Sequence, residues 1–179
     1  MSGYLRRLAT TGAAYTAASI LSKLIAVALL PLYTHYLSTE DYGAAEVLFA
    51  SVVSVSIVVR FGLIEAVMRF YYKDDEDPGR VVASTFAGLF WFSVAAAALA
   101  MPFAEPIGEA LLDPKPAELA LATELTRIAI GGLWVLTMFE FMLTLFRLEE
   151  RARAYFLTTI LNVLATIAVT IALVVGAGE

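Results

Sequence analysis

The chain has 179 residues, of which 60% are hydrophobic and only 16% charged, with a mean hydropathy of +0.80. Soluble domains are about 45–50% apolar, so this composition excludes an ordinary soluble domain and indicates an integral membrane protein. Cysteine is absent, which excludes disulfides and thiolate metal sites; one histidine, His35, gives no basis for a His-based metal centre, and at a net charge of −5 there is no basic nucleic-acid-binding surface. No cofactor and no nucleic-acid partner are expected.

Met1–Thr11 carries Arg6 and Arg7 ahead of an apolar run, Gly12–Tyr36. That run is longer than the ~7–15 residues of a signal-peptide apolar region and ends without a clear small-residue cleavage site, so it reads as a retained first helix. Gly12, Thr16, Ser19 and Lys23 recur at helical spacing along one face of it. Lys23 sits near its middle, where a lysine costs roughly 2.5–3.5 kcal/mol on insertion scales. Pro31 removes a backbone donor late in the segment, a place to kink. A short turn follows, Ser38-Thr39-Glu40-Asp41-Tyr42-Gly43, in which Ser38 or Thr39 is placed to cap the next helix.

The second segment is predicted as one helix over Ala44–Tyr72, with Ser51, Ser54 and Glu65 on one face and Glu46 and Arg60 on another. The third, Val81–Phe103, is free of charge and has Ala95–Ala98 in its core, which suits a lipid-facing or tightly packed helix. Pro102, Pro106, Pro114 and Pro116 are expected to break the connection that follows. The fourth, Leu119–Phe146, carries a stripe of Thr137, Glu140, Thr144 and Arg147, and Glu124 and Arg127 lie three apart, placed to pair with each other. Gly131-Gly132 suits bending or close packing rather than phosphate binding. The fifth, Ala154–Val175, repeats the stripe with Thr159, Asn162, Thr166 and Thr170. Each segment meets the ~20 mainly apolar residues of a spanning helix. The fold class expected is all-α, a polytopic membrane bundle of five transmembrane helices.

Lysine and arginine set orientation. Arg6, Arg7, Arg69, Lys73, Arg80, Arg147, Arg151 and Arg153 all fall on one side, whereas the opposite connections offer only Lys115. The N-terminus is therefore placed in the cytoplasm. The acidic run Asp74-Asp75-Glu76-Asp77 does not alter this, since acids contribute little to topology.

Two readings of the polar stripes stay open. Serine and threonine mediate close helix packing in bilayers, or they line a cavity; the same holds for Asn162. Glu46, Glu65, Arg69, Arg80 and Arg147 read as interfacial residues that snorkel. Lys23, Arg60 and Glu140 lie at least two turns inside their segments. Either an internal salt bridge joins Glu140 to Lys23 or Arg60, or a hydrated cavity brings these cations to an anionic substrate such as a phosphate. No nucleophile elbow, phosphate-binding glycine loop or other catalytic constellation is present, so no enzyme activity is expected.

Leu21-Ser22-Lys23-Leu24, then Leu30-Pro31-Leu32 and Tyr36-Leu37-Ser38-Thr39-Glu40-Asp41-Tyr42-Gly43, resemble the opening of the polysaccharide-exporter flippases of the multidrug/oligosaccharidyl-lipid/polysaccharide exporter superfamily. The stretch from Arg60-Phe61-Gly62 to Met68-Arg69-Phe70 is similar to the end of their second helix, and Leu145-Phe146-Arg147-Leu148-Glu149-Glu150-Arg151-Ala152-Arg153 to the boundary of their fourth and fifth. The resemblance covers essentially the whole chain, in order. It implies movement of an oligosaccharide on a polyprenyl pyrophosphate or phosphate carrier across the cytoplasmic membrane, in the lipopolysaccharide and O-antigen manner. Alternating access between two six-helix lobes is implied with it.

Carried onto this chain, the resemblance makes Lys23 and Arg60 the cavity cations that meet the carrier's phosphates, with Glu140 and Asn162 as cavity or ion-coupling positions. The expected partners are the lipid-linked oligosaccharide, membrane lipids and a missing C-terminal lobe. Five segments against two six-helix lobes lead to the expectation of an incomplete N-terminal lobe. The alternatives are a multidrug cation antiporter of the same superfamily, which would favour acidic membrane residues, and a non-transporting membrane assembly protein whose stripes only pack.

Overall fold

The computed structural model describes residues 35–73 and 77–176, together with positions 12, 13, 16, 17, 20, 23, 24, 27, 30 and 31; side chains are described as far as Ile171. Among these residues all regular structure is helical: α1 (Thr39–Arg60), α2 (Leu63–Phe70), α3 (Pro78–Ala100), a 3-10 turn (Met101–Phe103), α4 (Ala104–Leu112), α5 (Leu119–Leu148) and α6 (Ala152–Gly176). Thr39–Arg60, Pro78–Leu112, Leu119–Leu148 and Ala152–Ile171 are each long and apolar enough to cross a membrane. The chain is a polytopic α-helical membrane protein. The first predicted span, Gly12–Tyr36, lies largely outside the described residues; its described positions are helical, and the Thr16 hydroxyl donates to the Gly12 carbonyl at 3.0 Å.

Local chemistry explains the helix boundaries. Of the two expected caps, Ser38 is the one that caps α1: its Oγ accepts from the Asp41 amide at 3.1 Å and donates to the Asp41 carboxylate at 2.6 Å. Asp77 caps α3 by accepting from the Gly79 amide at 3.0 Å, with Pro78 in the first turn where its missing N–H costs nothing. The corner between α5 and α6 closes as a 6→1, 5→2 pair of backbone bonds, Arg151 N–H to Phe146 O at 2.8 Å and Glu150 N–H to Arg147 O at 3.2 Å, with Glu150 left-handed at φ 51°.

Two boundaries differ from those expected. The second segment is not one helix. Phe61 (φ 46°) and Gly62 (φ 69°) are both left-handed and divide it into α1 and α2. Glycine has no Cβ to oppose that conformation, and the chain restarts with the Ala66 amide donating to the Gly62 carbonyl at 2.8 Å. In the third segment, Pro102 and Pro106 do not end the helical run. Pro102 lies within the 3-10 turn and Pro106 in the first turn of α4, both positions that need no amide donor. The run ends instead at Asp113, left-handed at φ 46°, ahead of Pro114 and Pro116.

The chain divides into two compact units, Gly43–Thr144 on the one hand and Met1–Tyr42 with Leu145–Glu179 on the other. In the first, the core of Leu48, Val59, Ile64, Val67, Leu89, Ile130, Leu133 and Phe141 is interleaved with buried Ser56, Ser93, Thr123, Thr126, Thr137 and Thr144. These hydroxyls turn back onto their own helices. Ser93 donates to the Leu89 carbonyl at 2.6 Å, Thr126 to Ala122 at 2.8 Å, Thr137 to Leu133 at 2.8 Å and Thr144 to Glu140 at 2.9 Å. Each polar atom is satisfied without a neighbouring helix, so small side chains can lie against other helices with no orphaned donor. Thr137 and Thr144, which sequence placed in one stripe with Glu140 and Arg147, are fully buried packing residues, while Arg147 is exposed. Contact is tightest at Gly108 of α4, where a Cβ would fall 2.8 Å from Thr126 Oγ1 and 3.1 Å from the Ala122 carbonyl oxygen of α5.

In the other unit, Arg147 lies 6.0 Å from the Tyr155 ring and Arg151 5.7 Å from the Phe146 ring. Basic side chains resting on aromatic faces suit a membrane–water interface.

Candidate functional site

Arg60 is the last residue of α1, where a cation meets the negative end of the helix dipole. Its side chain folds back along its own helix. Nε donates to the Ser56 carbonyl at 3.1 Å and Nη2 to Ser56 Oγ at 3.3 Å, while Ser56 Oγ itself donates to the Val53 carbonyl at 2.7 Å. This staple aims Nη1 at Glu140 of α5, 3.6 Å from Oε2. At that separation the two groups form an ion pair rather than a hydrogen bond. The pair is half-buried, with Arg60 22% and Glu140 38% exposed. Aromatic contacts flank it: Phe61 meets Phe92 with ring centroids 5.2 Å apart, and Phe141 meets Phe86 at 5.8 Å. The end of α1, α3 and α5 are thus held together around one pair of opposite charges.

Of the sequence candidates, Arg60 and Glu140 are brought together. Lys23 and Asn162 belong to the other unit. Lys23 is helical and exposed; Asn162 is exposed and its carbonyl accepts from the Thr166 hydroxyl at 2.9 Å. Ser56 was missed, though Ser56 and Arg60 at i, i+4 was the signal that could have found it. Ser51 and Ser54, which were singled out, only bond back to the Val47 and Ala50 carbonyls, each at 2.8 Å. Glu124 and Arg127 do pair with each other.

Chemically, a guanidinium held on one edge keeps N–H groups for a second acceptor, and two parallel bonds to a phosphate are the arrangement it favours. The carboxylate beside it lowers the cost of half-burying that cation when no anion is present.

A family model described as polysaccharide biosynthesis protein matches residues 8–179. The chain belongs to this family. Membership places it in polysaccharide synthesis and export, in agreement with the resemblance seen along the sequence. No match to the chain was found among curated proteins, and none among solved structures. Together with the four helices among the described residues that are long and apolar enough to cross a membrane, the family makes this a multi-pass membrane protein of polysaccharide biosynthesis.

Proposed function

We propose that the protein acts in moving a lipid-linked oligosaccharide across the cytoplasmic membrane by alternating access, as one lobe of a two-lobe cavity and with its N-terminus in the cytoplasm. The observation that carries this reading is Arg60: in a member of a polysaccharide family, a guanidinium at the end of a helix long and apolar enough to span a membrane is oriented by Ser56 and only loosely satisfied by Glu140 at 3.6 Å. In this reading the carrier's phosphate takes Glu140's place beside Arg60, and Lys23 is a further cation of the kind that meets phosphate as a point charge. Glu140 is then the resting counter-ion, released when substrate arrives, and is the position best suited to sense a coupling ion. Asn162 is a hydrogen-bonding position on α6 with no charge to contribute.

The antiporter alternative is disfavoured by the same pair, because a cation approaching Glu140 meets the Arg60 guanidinium beside it. The assembly-protein alternative gains support from the hydroxyl stripes, which pack, but it gives no role to the ion pair. The test replaces Lys23 or Arg60 separately by Ala in the protein in cells and measures glycan export at matched protein level. Export is expected to fall sharply in both. Export that persists at matched level would remove the cavity role.

A further inference from the structure

The helical hairpin of α4 and the start of α5 stands apart from the ion pair along the chain's membrane axis. Pro78–Leu112 is a helical run of 35 residues. At ~1.5 Å per residue it extends about 50 Å, well beyond a hydrocarbon core of ~30 Å. Its charge-free part lies between Arg80 and Glu105. The excess is therefore α4, at the end opposite the basic side chains Arg69, Lys73 and Arg80. α5 mirrors this: Glu124 and Arg127 precede a charge-free stretch, 128–139. The hairpin thus reaches the polar zone, and Gly108 packs it tightly against Ala122 and Thr126.

At this level the hairpin borders a cavity of about 450 Å³, widely open to its surroundings, whose walls include Glu105, Pro116, Leu119, Thr123, Glu124 and Arg127. Small-molecule sites commonly measure about 300–1,000 Å³. Its polar lining is of both signs. Arg127 pairs with Glu124, and Glu105 faces the same space from α4. A free cation would be opposed by Arg127, and a phosphate by the two carboxylates. Dense hydroxyls suit both signs at once, donating to carboxylate oxygens and accepting from guanidinium N–H groups. Pro116 and Leu119 add an apolar wall for the C–H face of a ring. The Thr123 hydroxyl donates to the Leu119 carbonyl at 2.8 Å, leaving its oxygen as an acceptor.

We propose that this cavity is a binding site for a neutral sugar residue, separate from the phosphate-facing pair Arg60–Glu140; the assignment rests on the reading that the protein handles an oligosaccharide. The site would hold the glycan part of a substrate at the end of the molecule away from the basic connections.

The experiment is saturation-transfer NMR on the full chain in lipid nanodiscs with free glucose, galactose, maltose and cellobiose. Transfer to the ring protons of at least one sugar is expected. Its apparent affinity should fall roughly five- to fifty-fold in the double variant Glu105→Gln, Arg127→Gln, as loss of charged hydrogen bonds entails. Both side chains are exposed, so the variant should keep its fold. The signal should survive Thr137→Val. Absence of transfer for all four sugars, a signal unchanged in the double variant, or one competed away by inorganic phosphate or calcium would overturn the proposal. The transport reading fails separately: sugar transfer as expected, with glycan export indifferent to Lys23→Ala and Arg60→Ala, would leave the cavity standing without it.

Discussion

Ser56, a buried residue one turn before Arg60 on the same helix, fixes the direction of the Arg60 guanidinium through bonds of 3.1 and 3.3 Å. Replacing Ser56 by Ala removes the side-chain bond and the small polar filler but leaves the carbonyl contact. The expected cost is about 1 kcal/mol in stability. Under the transport reading glycan export should fall at matched protein level. Thermal unfolding in detergent measures the first and export in cells the second.

Removal of the two partners of the ion pair should not be equivalent. Glu140→Gln keeps an acceptor at the same place and should cost less than ~1 kcal/mol, as expected of a half-exposed pair. Arg60→Ala leaves a half-buried carboxylate without its partner beside aromatic rings and should cost on the order of 1–3 kcal/mol. A double-mutant cycle on unfolding midpoints should return a coupling of about 1 kcal/mol.

Glycines on adjacent helices should respond in opposite directions. A Cβ at Gly108 would lie 2.8 Å from Thr126 Oγ1 and 3.1 Å from backbone oxygen. Gly108→Ala should therefore destabilise by about 1–3 kcal/mol through overpacking. Gly132, where an added Cβ meets nothing within 4 Å, should accept Ala and gain up to ~1 kcal/mol of helix propensity. Comparative unfolding of the two variants decides the matter.

The break between α1 and α2 offers a fourth stability test. Gly62 sits at φ 69°, a conformation that costs an L-residue with a Cβ roughly 1–2 kcal/mol. Gly62→Ala should lower stability by that amount although its Cβ has ample room. An unchanged unfolding temperature would argue against a left-handed break at this position.

Thr137 is fully buried and bonds only back to the Leu133 carbonyl among its described contacts. Thr137→Val keeps the shape and removes the hydroxyl. The change should cost less than about 1 kcal/mol and leave export untouched, because the neighbouring helix makes no use of that oxygen. A large loss of export at matched protein level would reassign Thr137 to the cavity.

Much of this architecture was legible in the sequence because lipid imposes strong rules. Long apolar runs gave the fourth and fifth segments to within a few residues, and Ser38 was one of two residues placed to cap α1. The pairing of Arg60 with Glu140 was one of two stated possibilities, since spacing places residues on a face but does not say which faces meet. Gly62 was visible, but only the backbone shows that Phe61 joins it in left-handed geometry. Prolines misled at 102 and 106 because their effect depends on the position within a turn, which composition does not reveal. The cavity beside Glu105 was out of reach for the same reason: Glu124 and Arg127 looked self-sufficient as a pair on one helix.

The inward-turned hydroxyls also bear on biogenesis. Because Ser93, Thr126 and Thr137 bond to carbonyls one turn back on their own helices, each helix can enter lipid with these groups already satisfied. Insertion of one segment need not wait for synthesis of the next, and later association of helices exchanges lipid contacts for close packing with no hydrogen bond broken. Arg60 and Glu140 are different. Their mutual neutralisation requires α1 and α5 together, so this pair marks a step that comes only after α5 has been made.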